Sequence, residues 1–172
     1  PLYADDKSDF KAAYKNYNEA VTAKAHDDAI TYAQQAYDLG KVLYGEGSEN
    51  TANLAINLGN AHLNKWHKNE AIAAFEVALS ILEAKYGPTS KHLATPLLSQ
   101  LKALQTSKGY TDKLEKIEAL AKAIEATDPG LAATIYLRAG QAIYGNSGVK
   151  KAHKLFKVSN EIFSQIDDSN SF

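Results

Sequence analysis

The chain has 172 residues, a formal net charge of −1 and no cysteine, and 45 % of its residues are hydrophobic. This composition is ordinary for a soluble globular protein, so we expect neither disorder nor a bulk attraction to nucleic acid or to anionic membranes. No run of residues approaches the apolar length that crosses a bilayer, and without cysteine there is no disulfide framework or thiol chemistry.

Helical periodicity and capping residues predict four helices in the first half of the chain. They are helix one over 9–24 with Ser8 as its cap, helix two after a turn at 26–28 with Asp27 as its cap, helix three over about 50–64 and helix four over 69–86. Gly45 ends helix two, Gly87 and Pro88 end helix four, and Trp66 lies in the exposed turn between helices three and four.

The fifth helix has two possible starts. Ser90 can cap it, but Pro96 then lies inside the helix, where it removes a backbone hydrogen bond and clashes with the preceding turn. A start at Thr95 places Pro96 in the first turn, where proline is tolerated. We favour the later start, with a kinked helix as the alternative.

Three further helices complete the series. Helix six starts at Thr111 or Asp112 after a turn at 108–110, and helix seven starts with Asp128 as cap and Pro129 in first position. A turn at 145–148 leads to helix eight. The eight helices form four consecutive pairs.

The helical pattern repeats along the chain. Ala29 and Ala71 are 42 residues apart, and the pair Tyr44-Gly45 recurs as Tyr86-Gly87 at the same offset. Gly59, Ala71 and Phe75 recur as Gly140, Ala152 and Phe156 at one offset of 81, which is room for two repeats of about 40 residues each. Several positions that share an offset indicate a helical repeat array.

The stretch from Leu58-Gly59 through His62, Ala71 and Phe75 resembles the tetratricopeptide repeat, with Ala55 in the tryptophan slot of its pattern and His62 in the tyrosine slot. The period near 42 exceeds the usual value of about 34 and resembles kinesin-light-chain-type repeats. The resemblance implies an all-α fold, a right-handed superhelix of about four helical hairpins. No linker rich in glycine, proline or serine divides the chain, so we expect a single domain over 1–172 with repeats at 8–47, 48–89, 90–127 and 128–168. The start at Pro1 suggests a fragment or mature part of a longer chain.

The sequence contains no constellation of catalytic residues. The histidines, of which His62 is expected to be a packing residue and His26 and His67 turn residues, lack the spacing of metal ligands. Paired carboxylates such as Asp27-Asp28 lie at helix ends, where capping explains them. We therefore expect no enzyme activity, no metal site and no cofactor.

The first helix of each tetratricopeptide repeat lines the concave face, which selects a set of candidate peptide-binding residues. They are Lys11, Tyr14, Lys15, Asn18, Asn53, Asn57, Asn60, Asn64, Ser99, Lys102, Arg138 and Gln141. The four asparagines of helix three share one helical stripe, and their amides can both donate to and accept from a peptide backbone. The lysines and Arg138, with no mapped carboxylate, predict a basic groove; the alternative is a plain solvated face.

These features favour a non-catalytic protein–protein interaction module that binds an extended, acidic or carboxylate-bearing peptide. The alternative is a structural segment of a larger multidomain protein, and the repeat segments of bacterial envelope proteins such as TonB-type energy transducers are weakly similar. The start at Pro1, with an acidic segment behind it, suggests a processed chain and a periplasmic or otherwise exported location, with the cytoplasm as the alternative. We expect a protein or peptide partner, no nucleic acid and no insertion into a membrane.

Overall fold

A computed structural model describes residues 4–104, 109–144 and 148–169, and the regular structure of these residues is all helical. The helices are α1 (Ala4–Thr22), α2 (His26–Tyr44), α3 (Glu49–Asn64), α4 (Lys68–Tyr86), α5 (Ala94–Leu104), α6 (Tyr110–Ile124), α7 (Pro129–Tyr144) and α8 (Val149–Ser169). A short 3₁₀ turn (Lys91–Leu93) precedes α5. The predicted all-α class and the series of eight helices are confirmed. Lys108 and residues 145–147, from two predicted turns, lie outside the described residues.

The chain forms two compact units, Pro1–Lys85 and Tyr86–Phe172. Within the first unit α1 packs on α2 and α2 on α3, and within the second unit each helix from α5 to α8 packs on the next. Neighbours in sequence are therefore neighbours in space, as expected for helical hairpins joined by short turns. The single domain predicted from the sequence stays a prediction.

The core of the first unit is made from small and aromatic side chains contributed by all four helices. One buried cluster contains Tyr17, Ala20, Ala29, Ala33, Leu58, Ala61 and Ala74, and a second contains Ala13, Ala36 and Leu54. Alanines predominate because they let helix backbones approach closely. Between α3 and α4, the ring of Phe75 is fully buried against the backbone at Gly59.

The second unit repeats this packing between α7 and α8. The ring of Phe156 lies against Gly140 as Phe75 lies against Gly59, which confirms the offset of 81 residues. Ser159, on α8 at the position that corresponds to Ala78, is fully buried and donates a hydrogen bond from Oγ to the carbonyl oxygen of Ala133 at 2.8 Å.

The predicted start and end of helix one are wrong. α1 begins at Ala4 instead of Asp9, because no residue before Ser8 breaks a helix and Asp6 complements the positive end of the helix dipole. Ser8 is thus inside α1. α1 ends at Thr22 because Lys24 takes the left-handed conformation, with φ of 57°.

Asp27 does not cap α2. The N-cap position is Ala25, with no side-chain hydrogen bond, and Asp27 lies in the first turn of the helix. Its carboxylate instead forms an ion pair with Lys65 of the next hairpin, at 3.0 Å. The starts of α3 and α4 differ by one residue from the predicted Asn50 and Asn69, since Ser48 accepts a hydrogen bond from Thr51 N and caps α3.

The later start of α5 is confirmed. Pro96 lies in the first turn of α5, and Ser90 caps the separate 3₁₀ turn by accepting a hydrogen bond from His92 N at 3.4 Å. α7 starts as predicted, because Leu131 N donates to the carboxylate of Asp128 at 3.0 Å. α6 begins at Tyr110, directly after a left-handed Gly109, instead of at Thr111 or Asp112.

Candidate functional site

Asparagine side chains occupy the solvent-facing side of α3. Nine residues of this helix are buried, namely Thr51, Ala52, Leu54, Ala55, Ile56, Leu58, Gly59, Ala61 and Leu63. Asn53 and Asn64 are exposed and Asn57 and Asn60 are half-buried, and we call these four residues the amide stripe. The other residues of α3 that are not buried are Glu49, Asn50 and His62, so amides make up most of the surface of this helix.

The asparagines of the amide stripe lower the stability of the helix that carries them. Asparagine is less favourable than alanine in a helix interior by up to about 0.7 kcal/mol, so Asn53, Asn57 and Asn60 together cost about 2 kcal/mol. The side-chain amides of the stripe form no hydrogen bond with a described residue. The four amides are spread over 12 residues of helix, which is about 16 Å from the first to the last. Amides arranged in this way can bind an extended peptide backbone.

One hydrogen bond joins α1 to the helix that carries the stripe. The Tyr17 hydroxyl of α1 donates to the backbone oxygen of Asn57 at 3.4 Å, so the two helices are neighbours. The predicted site residues Lys11, Tyr14, Lys15 and Asn18 are all exposed on α1. Sequence reasoning missed Asn50, which is exposed and continues the stripe by one helical step; its spacing of three from Asn53 is the signal that reveals it.

The surface of α1 is less basic than predicted. Lys15 Nζ lies 3.5 Å from the carboxylate of Glu19, one turn further along the helix, and both side chains are exposed. Glu19 therefore offsets one of the charges that the groove prediction counted, although an exposed pair of this kind is weak. Among the described residues Lys11 forms no ion pair, so it is the stronger candidate for binding a carboxylate.

The second unit has its own set of predicted site residues on α5 and α7, which pack against each other. Lys102, Arg138 and Gln141 are exposed and Ser99 is half-buried. Arg138 makes no ion pair with a described residue, and its guanidinium can form a bidentate contact with a carboxylate. The prediction that residues of all four repeats line one groove stays a prediction.

Two histidine rings lie close together where α3 ends and α4 begins. The rings of His62 and His67 are 5.8 Å apart, and Nδ1 of His62 is buried without a hydrogen-bond partner among the described residues. Burial lowers the pKa of His62; the charge of Glu70 opposes this shift, and His67 adds to it. The described residues contain no group of three metal-binding side chains, and none of the described helices is long and apolar enough to cross a membrane.

The turns of the first two hairpins have the same backbone geometry. Lys24 and Trp66, 42 residues apart, are both left-handed, and the amides that follow them, at Ala25 and His67, donate to the carbonyls of Ala20 and His62. This is the hydrogen-bond pattern of a Schellman motif at each helix end.

The family model of the tetratricopeptide repeat matches residues 20–84. This segment of the chain is therefore similar to tetratricopeptide repeats. The matched residues run from the end of α1 to the end of α4, and they include the amide stripe and the Gly59–Phe75 contact. No curated protein matches the chain. Tetratricopeptide repeats are interaction modules that mediate protein–protein contacts, and the likeness to kinesin-light-chain repeats stays a prediction.

Proposed function

We propose that the chain is a non-catalytic module that binds an extended peptide, with the amide stripe of α3 and the adjacent face of α1 as its principal site. One observation supports this most directly: α3 tolerates poor helix-forming residues along almost its whole solvent-facing side. A plain solvated face would be more stable with lysine, glutamate or alanine at these positions. Amides with no protein partner favour a ligand that supplies one.

The ligand is proposed to be acidic or to end in a carboxylate. Lys11 on α1, and separately Lys102 and Arg138 on the second unit, are exposed cations on the helices that line the binding face in tetratricopeptide repeats. The protein as a whole is nearly neutral, so these local charges would select the ligand without attracting polyanions in general. A localisation in the periplasm or another exported compartment remains part of this proposal.

The test is selection of peptides from a phage-displayed library of random dodecapeptides. We expect the wild-type chain to enrich peptides and the Asn57→Ala/Asn60→Ala variant to lose at least about tenfold in affinity for them, because each amide can make two hydrogen bonds. Both substitutions favour the helix, and equal urea midpoints of the variant and wild type exclude unfolding as the cause of lost binding. Asn160→Ala, on the exposed face of α8, is the matched control and should bind like wild type.

The acidic character of the ligand is tested with charge reversal. Lys11→Glu should remove the preference for aspartate, glutamate or a free C-terminus among peptides that depend on the amide stripe, and Arg138→Glu tests the second unit separately. Raising the salt concentration should weaken wild-type binding, since exposed charges are screened. Equal enrichment of acidic and basic peptides by wild type would reject this part of the proposal while leaving the amide site in place.

The alternative proposal is a structural segment that holds together a larger multidomain protein of the TonB-type envelope class. The observation that favours this alternative is Trp66, an apolar side chain that is 62 % exposed at the turn between α3 and α4. Trp66→Ala should then disrupt the assembly of the full protein, whereas Asn57→Ala/Asn60→Ala should leave it intact. The opposite result favours the peptide-binding module.

A further inference from the structure

The contact between the first two hairpins shows which face of one repeat receives the next. Leu54 of α3 packs in a buried cluster with Ala13 and Ala36, and a β-carbon at position 40 would collide with its side chain. Gly40 therefore marks the face of a hairpin on which the first helix of the following repeat packs. Leu54 marks the packing face of that first helix.

This receiving face is partly open on α8. The position of Gly40 recurs at offsets of 42 and then 81 residues as Leu82 and Phe163. Gly40 is buried and Leu82 is 2 % exposed, but Phe163 is 37 % exposed. Phe75 is likewise fully buried, whereas its equivalent Phe156 is only half-buried. We call the surface of α8 around Phe156 and Phe163 the receiving face.

The corresponding packing face of α1 is open as well. An offset of 42 residues relates Leu54 and Ala61 of α3 to Ala12 and Glu19 of α1. Leu54 and Ala61 are buried in the contact with the first hairpin, whereas Ala12 and Glu19 are exposed. We call the surface of α1 around Ala12 and Glu19 the entering face.

The receiving and entering faces complement each other in size. Between the first two hairpins, the small Gly40 lies opposite the large Leu54. If the entering face of a second copy packed in the same way on the receiving face, the large Phe163 would lie opposite the small Ala12. One large side chain fills the space between the helices in both arrangements, as close packing requires.

The two faces also complement each other in charge. Asp27 of α2 forms an ion pair with Lys65 at 3.0 Å across the contact between the first two hairpins. The two offsets together relate Asp27 to Lys150 of α8, which is exposed and makes no ion pair with a described residue. Glu19 lies one helical turn before position 23, which corresponds to Lys65. The acid and the base have therefore exchanged places, and their attraction is kept.

We propose that the receiving face of α8 binds the entering face of α1 from a second copy of this chain, so that copies associate head to tail. The charges of the two units favour this occupant, since residues 1–85 contain 12 acidic and 8 basic side chains and residues 86–172 contain 8 acidic and 11 basic ones. Each copy uses two different faces, so the contact is heterologous and extends into rings or open chains of copies. This inference does not depend on the proposed peptide site.

Sedimentation velocity over a series of protein concentrations up to about 1 mM tests the association. Wild type should form dimers and longer species as the concentration rises, whereas Phe163→Glu and Ala12→Glu should each stay monomeric because each lacks one face. An equal mixture of these two variants should form a heterodimer and nothing larger, since each supplies the face that the other lacks. Val42→Glu, which changes an exposed apolar residue of α2 outside both faces, is the matched control and should associate like wild type.

Charge reversal tests the contact without touching a partly buried side chain. Lys150→Glu and Glu19→Lys should each weaken self-association by about two- to tenfold, and the double variant should recover it. Equal urea midpoints of these exposed variants and wild type establish that the fold is intact. A wild type that stays monomeric assigns the receiving face to another partner and overturns the proposal. Association that survives Phe163→Glu or Ala12→Glu, or two such variants that fail to recover on mixing, overturns the head-to-tail contact.

Discussion

Gly59 and Phe75 fit together so closely that a β-carbon at position 59 would lie 2.5 Å from Cε1 of Phe75. Gly140 and Phe156 reproduce this distance in the second unit. β-carbons essentially never approach another heavy atom within 3.0 Å, and both glycines lie inside helices. Glycine is therefore required here for space, and the backbone conformation places no demand on it.

Gly59→Ala and Gly140→Ala should each lower the free energy of unfolding by about 1–3 kcal/mol, because the added methyl group must displace a buried ring. Urea denaturation followed by circular dichroism measures the loss. Gly130→Ala is the matched control, since nothing lies within 4 Å of a β-carbon there and alanine favours the helix. A Gly59→Ala protein as stable as Gly130→Ala would contradict the close packing. Phe75→Leu should restore part of the stability lost in Gly59→Ala.

Much of this fold follows from spacing alone. The Gly59–Phe75 and Gly140–Phe156 contacts were predictable because each repeat must solve the same packing problem with residues at the same offset. The amide stripe was predictable from intervals of four, three and four residues along one helix. Glu19 was also within reach of sequence reasoning, since it follows Lys15 by one helical turn.

Other features depend on tertiary geometry that the sequence does not encode locally. The contact of Tyr17 with Asn57 joins residues 40 positions apart and depends on how two hairpins stack. The end of α1 is hard to predict because Lys24 occupies a left-handed position where glycine is the usual signal. The prediction that Asp27 caps α2 rests on its local position. The ion pair that its carboxylate forms with Lys65, 38 positions along the chain, follows from tertiary packing and has no local signal.

Lys24→Gly should raise the free energy of unfolding by about 1 kcal/mol, because an L-residue in the left-handed region is strained by about 1–2 kcal/mol and glycine is not. Trp66→Gly should stabilise less. Lys68 Nζ lies 5.7 Å from the centroid of the indole, and an exposed contact of this kind contributes about 0.5 kcal/mol. Differential scanning calorimetry of the two variants measures the difference.

The alanine variants are the controls for these two turns. Lys24→Ala and Trp66→Ala keep the strained backbone, so neither should gain the stability that glycine gives. A destabilised Trp66→Gly would show that the indole makes a structural contribution larger than its exposure of 62 % suggests.

The stability of the first unit should fall as the pH decreases below the ordinary histidine pKa. Burial lowers the pKa of His62 below its usual value of 6.5, with Glu70 opposing and His67 reinforcing the shift. The unfolded chain then binds a proton before the folded chain does, so the free energy of unfolding decreases as pH falls through about 6.5 towards the folded-state pKa. Urea midpoints between about pH 7.5 and pH 5.5, measured by the fluorescence of the single tryptophan, follow this change.

His62→Tyr restores the residue that the tetratricopeptide pattern has at this position and removes the titrating group. The urea midpoint of this variant should vary less with pH over the same interval than that of wild type. The variant keeps the other four histidines, so the difference reports on position 62. An unchanged pH dependence in His62→Tyr would assign the effect to another group.

Ser159→Ala should lower the free energy of unfolding by only about 0.5 kcal/mol. The lost hydrogen bond to Ala133 is worth about 1 kcal/mol, and the better helix propensity of alanine offsets part of it.

The reverse change tests whether the two repeats are equivalent. Ala78 and Ala52 occupy the corresponding positions in the first unit and are fully buried, so Ala78→Ser can donate to the carbonyl of Ala52 and should cost less than about 1 kcal/mol. Ala78→Val brings added bulk and no donor, and should cost about 1–3 kcal/mol. If urea denaturation gives the serine and valine variants the same loss, the hydroxyl finds no acceptor there and the two hairpins differ in how closely their helices approach.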